Sequence, residues 1–90
     1  MKCKLINTCF ACPEQYDLIN IDTDEIVAYY RLRHSYFFVS VPDVSGEIIY
    51  HARTEGDGLF LNEAERFYHF SNALKALSEH YGKIQIVEIN

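Results

Sequence analysis

Period-two alternation of apolar and polar residues dominates the first half of the chain. From Glu25 to Arg33, Ile26, Ala28, Tyr30 and Leu32 alternate with Val27, Tyr29, Arg31 and Arg33. This is the spacing of a half-buried strand, whose side chains point to opposite faces in turn. Gln15 to Ile21 reads as an earlier strand, with Ile19 and Ile21 on one face and Tyr16, Leu18 and Asn20 on the other. Asp22-Thr23-Asp24 between them is a turn in which short acids bond back to their own backbone. His34-Ser35 is the expected tip of a two-residue hairpin. That tip sets Arg33 opposite Tyr36, Leu32 opposite Phe37 and Tyr30 opposite Val39. Ile26, Ala28, Tyr30 and Leu32 then share one face with Phe37, Val39 and Val41, and both strands agree on which side is the core. Pro42 to Gly46 is a turn, and the run through Ile48, Ile49 and Tyr50 to Arg53 is a further strand. Glu55-Gly56-Asp57-Gly58 ends it, with the glycines read as turn positions of positive φ.

The second half changes period. Apolar residues recur at Phe67, Phe70, Leu74, Leu77 and Tyr81, the three-and-four rhythm of an amphipathic helix. Asn62 is its N-cap, with Glu65 at capping-box spacing, and Gly82 its stop. Glu63 and Glu65 in the first turn and His80 near the last suit the helix dipole. Phe67, Phe70, Leu74 and Leu77 are the expected anchors in the sheet. Ile84 to Ile89 reads as a short final strand at an edge. The expected fold is therefore α+β: an antiparallel β-meander of four to five strands packed against one C-terminal helix, with a short final strand, all in one domain over residues 1–90.

Composition supports a folded domain and narrows its partners. Hydrophobic residues make up 49% of the 90, and thirteen aromatics supply large buried areas in a chain short of core volume. The formal charge of −5, with eight Lys and Arg in total, argues against general nucleic-acid binding and suits a partner with a basic surface better. The start, cut by Asn7, Thr8 and Pro13, does not read as a signal peptide, and no stretch reads as a membrane span. Three cysteines without an export signal point to a reducing compartment, so the expected location is the cytoplasm.

Candidate chemistry is sparse. Cys9 and Cys12 have the spacing of half a zinc site, with Cys3 nearby and His34 or His51 as distant ligands. A strong zinc signature has two such pairs and this chain has one, so no metal or other cofactor is expected and packing cysteines are the better reading. Gly56-Asp57-Gly58 lacks the glycines and the Lys of a phosphate loop. Asp22, Asp24 and Glu25 lack the Gly and the distant Glu of a calcium loop. His51 has only Cys12 or Asp57 as conceivable partners for base chemistry, and His34, His69 and His80 read as structural. No catalytic residue is expected, and the chain reads as a non-enzyme.

The more informative feature is the face opposite the core. The hairpin register places Leu18, Val27, Tyr29, Arg31, Arg33, Tyr36 and Phe38 there. Tyr, Phe and Arg are enriched where binding energy concentrates, so Tyr29, Arg31, Arg33, Tyr36 and Phe38 form a candidate interaction surface. Two plainer readings compete: Arg–aromatic pairs that stiffen a wet sheet, or a face covered by the N-terminal arm or the final strand.

Cys12-Pro13-Glu14-Gln15-Tyr16-Asp17, Arg31-Leu32-Arg33-His34, and Gly56-Asp57-Gly58 with a hydrophobic pair after it resemble a group of small uncharacterised bacteriophage and prophage proteins. The resemblance spans about residues 12–80. It departs at Ala28 and Ser35, where that group tends to carry Gly, and it does not include Cys3 or Cys9. It implies a phage-derived accessory protein and brings no catalytic residues. The expected function is a non-enzymatic binding module that docks on a host or phage protein, for example to inhibit host defence, or that pairs with a second copy. The alternative is a single-stranded nucleic-acid-binding sheet that uses Tyr29, Arg31, Arg33 and Phe38 as a stacking platform.

Overall fold

A computed structural model describes residues 1–9 and 13–90. Cys12, and with it half of the C-x-x-C spacing, lies outside the described residues.

The chain adopts the expected α+β arrangement, with one more strand than its alternation shows. Strands β1 (Lys2–Asn7), β2 (Glu14–Asn20), β3 (Ile26–Arg33), β4 (Tyr36–Val41) and β5 (Glu47–Arg53) form an antiparallel meander. Helix α1 (Glu63–Tyr81) follows, and β6 (Gln85–Ile89) returns parallel to β1 as an edge strand. The sheet order is β5-β4-β3-β2-β1-β6. β1 was not expected because its alternation of Lys2 and Lys4 with Cys3 and Leu5 is short. Tertiary pairing with β2 and β6 supplies what local pattern lacks.

The β3–β4 hairpin has the expected register, with Arg33 opposite Tyr36, Leu32 opposite Phe37 and Tyr30 opposite Val39. His34 and Ser35 both take positive φ, 54° and 58°, the conformation that a two-residue turn needs to match strand twist. Positive φ is unusual for residues with a Cβ, and the strands on either side hold it in place.

Several faces differ from expectation. Leu18, expected outside, is fully buried. It lies opposite Ala28, as Tyr16 lies opposite Tyr30, and directly opposed residues share a face. A β-bulge between Leu18 and Ile19 then pairs Ile19 with Ile26 and leaves Val27 as the extra residue. Parity reverses at that point. Ile26, expected in the core, is 45% exposed, and Val27, expected outside, packs partly against the core.

The core lies between the inner sheet face and α1. The Phe37 ring lies 5.2 Å from Phe60, 5.9 Å from Tyr50 and 6.0 Å from Phe70, largely edge to face. Each such contact adds roughly 0.5–1.5 kcal/mol beyond the area it buries. The helix presents His69, Ala73 and Leu77 to this core, flanked by Phe70, Leu74 and Tyr81. Phe67, expected as an anchor, is 62% exposed. The buried stripe runs at steps of four through the small Ala73, which turns Phe67 away from the sheet.

The entry to α1 is tied by one carboxylate. Asn62 Oδ1 accepts from the Glu65 N–H at 2.9 Å, as a cap should. The Glu65 carboxylate does not close the box on Asn62. It accepts instead from the backbone N–H groups of Leu61 (2.8 Å), Glu55 (2.6 Å) and Gly56 (3.3 Å). Burial raises this carboxyl, but the backbone donors outweigh it and hold the group below its ordinary value. The Gly56-Asp57-Gly58 turn was expected to need positive φ, yet among the described glycines only Gly82 has it, at 84°. Gly56 is required for space: a Cβ there would lie 1.8 Å from the Leu59 carbonyl oxygen.

Candidate functional site

Alternation along β3 and β4 brings all five expected surface residues to the outer face of the sheet. Arg31 lies opposite Phe38 and Arg33 opposite Tyr36. The Arg31 guanidinium carbon sits 5.5 Å from the Phe38 ring centre, within cation–π range. Tyr36 and Phe38 lie 5.9 Å apart and tilted by 33°. Tyr29 lies 6.1 Å from Phe38 and is 9% exposed, with its hydroxyl donating to Gln15 Oε1 at 3.3 Å. It therefore supports the surface from below more than it presents a ring. Arg33 is exposed, and Arg31, Tyr36 and Phe38 are half-buried. The Arg31 Nε is buried with no hydrogen-bond partner among the described residues.

Two members of this surface were not anticipated. His51 lies opposite Phe38 and Arg53 opposite Tyr36 across the β4–β5 pairing, and both are exposed. The His51 ring is 5.9 Å from Tyr36. Their alternation with Tyr50 and Ala52 was present in the sequence. A bulge between Val39 and Ser40 hides the register that would have carried it onto this face. Two rows result across three strands, Arg33–Tyr36–Arg53 and Arg31–Phe38–His51, each with an aromatic ring between two basic side chains.

The charge of the molecule is segregated by this geometry. Cys3 and Leu5 are fully buried, so alternation puts Lys2 and Lys4 at outer-face positions. Five of the eight Lys and Arg therefore occupy that face, as Lys2, Lys4, Arg31, Arg33 and Arg53. Only Asp17 and Glu88 oppose them among outer-face strand positions, a surplus of three positive charges. The remaining three cations and eleven acids leave the rest of the chain at minus eight. Both acids lie on the β2–β1–β6 side, where Glu88 faces Lys4, and burial pushes the Asp17 carboxyl up. The surplus thus falls on β3–β5, where the rings are.

The inner face carries a second feature. Six strands span about 24 Å, whereas one helix covers about 10 Å. Between α1 and β6 an apolar groove of about 410 Å³ remains, lined by Phe67, Phe70, Leu74, Ile86 and Ile89. At its end Glu14, 3% exposed, joins three elements. Its Oε1 accepts from the Tyr16 hydroxyl at 2.8 Å and from Arg66 Nε at 2.6 Å, and its Oε2 accepts from the Phe60 N–H at 3.1 Å. Burial first, and then the bond to Glu14, push the Tyr16 hydroxyl up to about 12. Arg66 also pairs with Glu63. This cluster is saturated with its own partners, which is the mark of a structural strut.

Cys3 is buried in the core and Cys9 half-buried. Among the described residues no three His, Cys, Asp or Glu side chains gather as metal ligands, and no helix is long and apolar enough to cross a membrane. The His69 ring bonds the Tyr50 hydroxyl through Nδ1 at 2.8 Å, and burial lowers its pKa. His51 lies on the outer face, among rings and arginines. Comparison of the chain with protein-family models, with curated proteins and with solved structures returns no match.

Proposed function

We propose that this protein is a non-enzymatic binding module of the phage-accessory kind, and that it works through the outer face of its sheet on an anionic partner. The observation that carries this reading is the coincidence of charge and rings on β3–β5. A chain with a net charge of −5 concentrates three arginines and two half-buried rings on one face. The whole-chain charge suits a basic partner, but a partner meets a face and not an average. An acidic surface on a host or phage protein and a single strand of nucleic acid both carry the complementary charge.

Retention on immobilised heparin at low ionic strength tests the reading. A protein with evenly spread charge of this sign would pass through. Wild-type protein is expected to be held and released as salt screens the face. The exposed-site double variant Arg33→Glu with Arg53→Glu is expected to flow through with an unchanged far-ultraviolet circular dichroism spectrum. Wild-type protein that passes through at low salt would remove the anionic-partner reading.

A further inference from the structure

Resting on the reading of the outer face as a binding surface, we infer that its partner is single-stranded nucleic acid. The two rows decide between the anionic classes. In each, a ring lies with a basic side chain on both neighbouring strands: Tyr36 between Arg33 and Arg53, and Phe38 between Arg31 and His51. An acidic protein patch would meet the arginines, but nothing in its chemistry calls for a ring beside each cation. Unstacked bases use both, because each base has a π-face to lay on a ring while its phosphate meets the cation beside it. Duplex bases are already stacked on one another and offer the rings nothing.

The spacing is compatible with this use. Arg31 and Arg33 are two residues apart on β3, about 6.8 Å, and Arg53 lies two strands from Arg33, about 10 Å. No acid occupies an outer-face position of β3, β4 or β5, so a strand crossing them meets no fixed negative charge from the sheet. Three arginines set the expected salt dependence. For three phosphate contacts on a single strand, log K should fall with log salt at a slope of about −2. That is roughly a 20-fold loss of affinity between 50 and 200 mM salt.

Fluorescence anisotropy with four labelled probes tests the inference: a 12-nucleotide oligo(dT), a 12-nucleotide oligo(U), a 12-base-pair duplex and a 12-residue poly-glutamate peptide. Both single strands are expected to bind at least tenfold more tightly than the duplex and the peptide, with the slope above. Phe38→Leu and Tyr36→Leu keep apolar bulk and remove the ring. Each is expected to weaken single-strand binding about tenfold and leave the slope unchanged. Arg33→Gln and Arg53→Gln are expected to lower both affinity and slope, the slope by a little under one each. Tighter binding of the peptide would make an acidic protein the partner. Equal binding of duplex and single strand, ring variants with unaltered affinity, or failure of both single strands to bind while heparin still retains the protein would each overturn the single-strand assignment. These last outcomes leave the anionic-surface reading standing.

Discussion

Replacing Glu14 by Ala removes the acceptor on which β2, the approach to α1 and the first turns of α1 converge. The cost follows from what is left behind. The Phe60 N–H and the Tyr16 hydroxyl belong to residues that are each 6% exposed, and both lose their acceptor. An unsatisfied buried donor costs about 1–3 kcal/mol. The Arg66 side chain is 26% exposed and keeps Glu63, so its loss is discounted to about 1 kcal/mol. The total is about 3–7 kcal/mol, against a stability of about 5–13 kcal/mol for a domain of 90 residues. Urea titration followed by circular dichroism should show a lower midpoint at unchanged m, or no folded baseline. Glu14→Gln keeps the shape and one acceptor oxygen while setting an amide NH2 among donors, so it should fall between the two. A loss below about 1 kcal/mol for Glu14→Ala would refute the strut, since two desolvated donors could not lose their acceptor at so small a cost.

The helix register can be checked with a pair of truncations. Phe70→Ala should cost about 3–5 kcal/mol, because its ring packs against Tyr16, Tyr30, Phe37 and Phe60. Phe67→Ala should change stability by no more than about 0.5 kcal/mol, and equal effects in thermal melts would contradict the observed orientation of α1. A third expectation concerns pH. Burial lowers the His69 pKa below its ordinary 6.5, with Glu65 pulling weakly the other way. The unfolded chain then binds the proton more readily than the folded one, so stability is full above pH 6.5 and declines as pH falls toward the folded pKa. Urea midpoints at pH 7.5 and 5.5 measure the decline. His69→Gln, which retains a polar contact for Tyr50 and cannot titrate, should reduce it, and an identical decline in that variant would remove His69 as the cause.

What the sequence determined is local and periodic. The β3–β4 hairpin was legible because two long alternating runs meet at a two-residue tip, and only one register lets both bury the same face. The existence of α1, its cap at Asn62 and its stop at Gly82 were legible because capping chemistry and a 3.6-residue period are written within a few residues of one another. The five expected surface residues follow from that same hairpin register.

Tertiary structure decided what depends on residues distant in the chain. Single-residue bulges in β2–β3 and β4–β5 reverse parity without any local signature. They turned Ile26 outward, drew Val27 toward the core and hid the alignment that places His51 and Arg53 beside Phe38 and Tyr36. The orientation of α1 depends on the rings already packed beneath it, which admit His69 and Phe70 and leave Phe67 outside. Nothing local in the sequence marks Glu14 as buried, and its burial is explained only by Arg66, Phe60 and Tyr16 closing around it. The sign of the outer face was likewise invisible to the overall charge. Composition sums charges over the chain, whereas a sheet sorts them by alternation onto two sides, and only the assembled register shows that five cations fall on one of them.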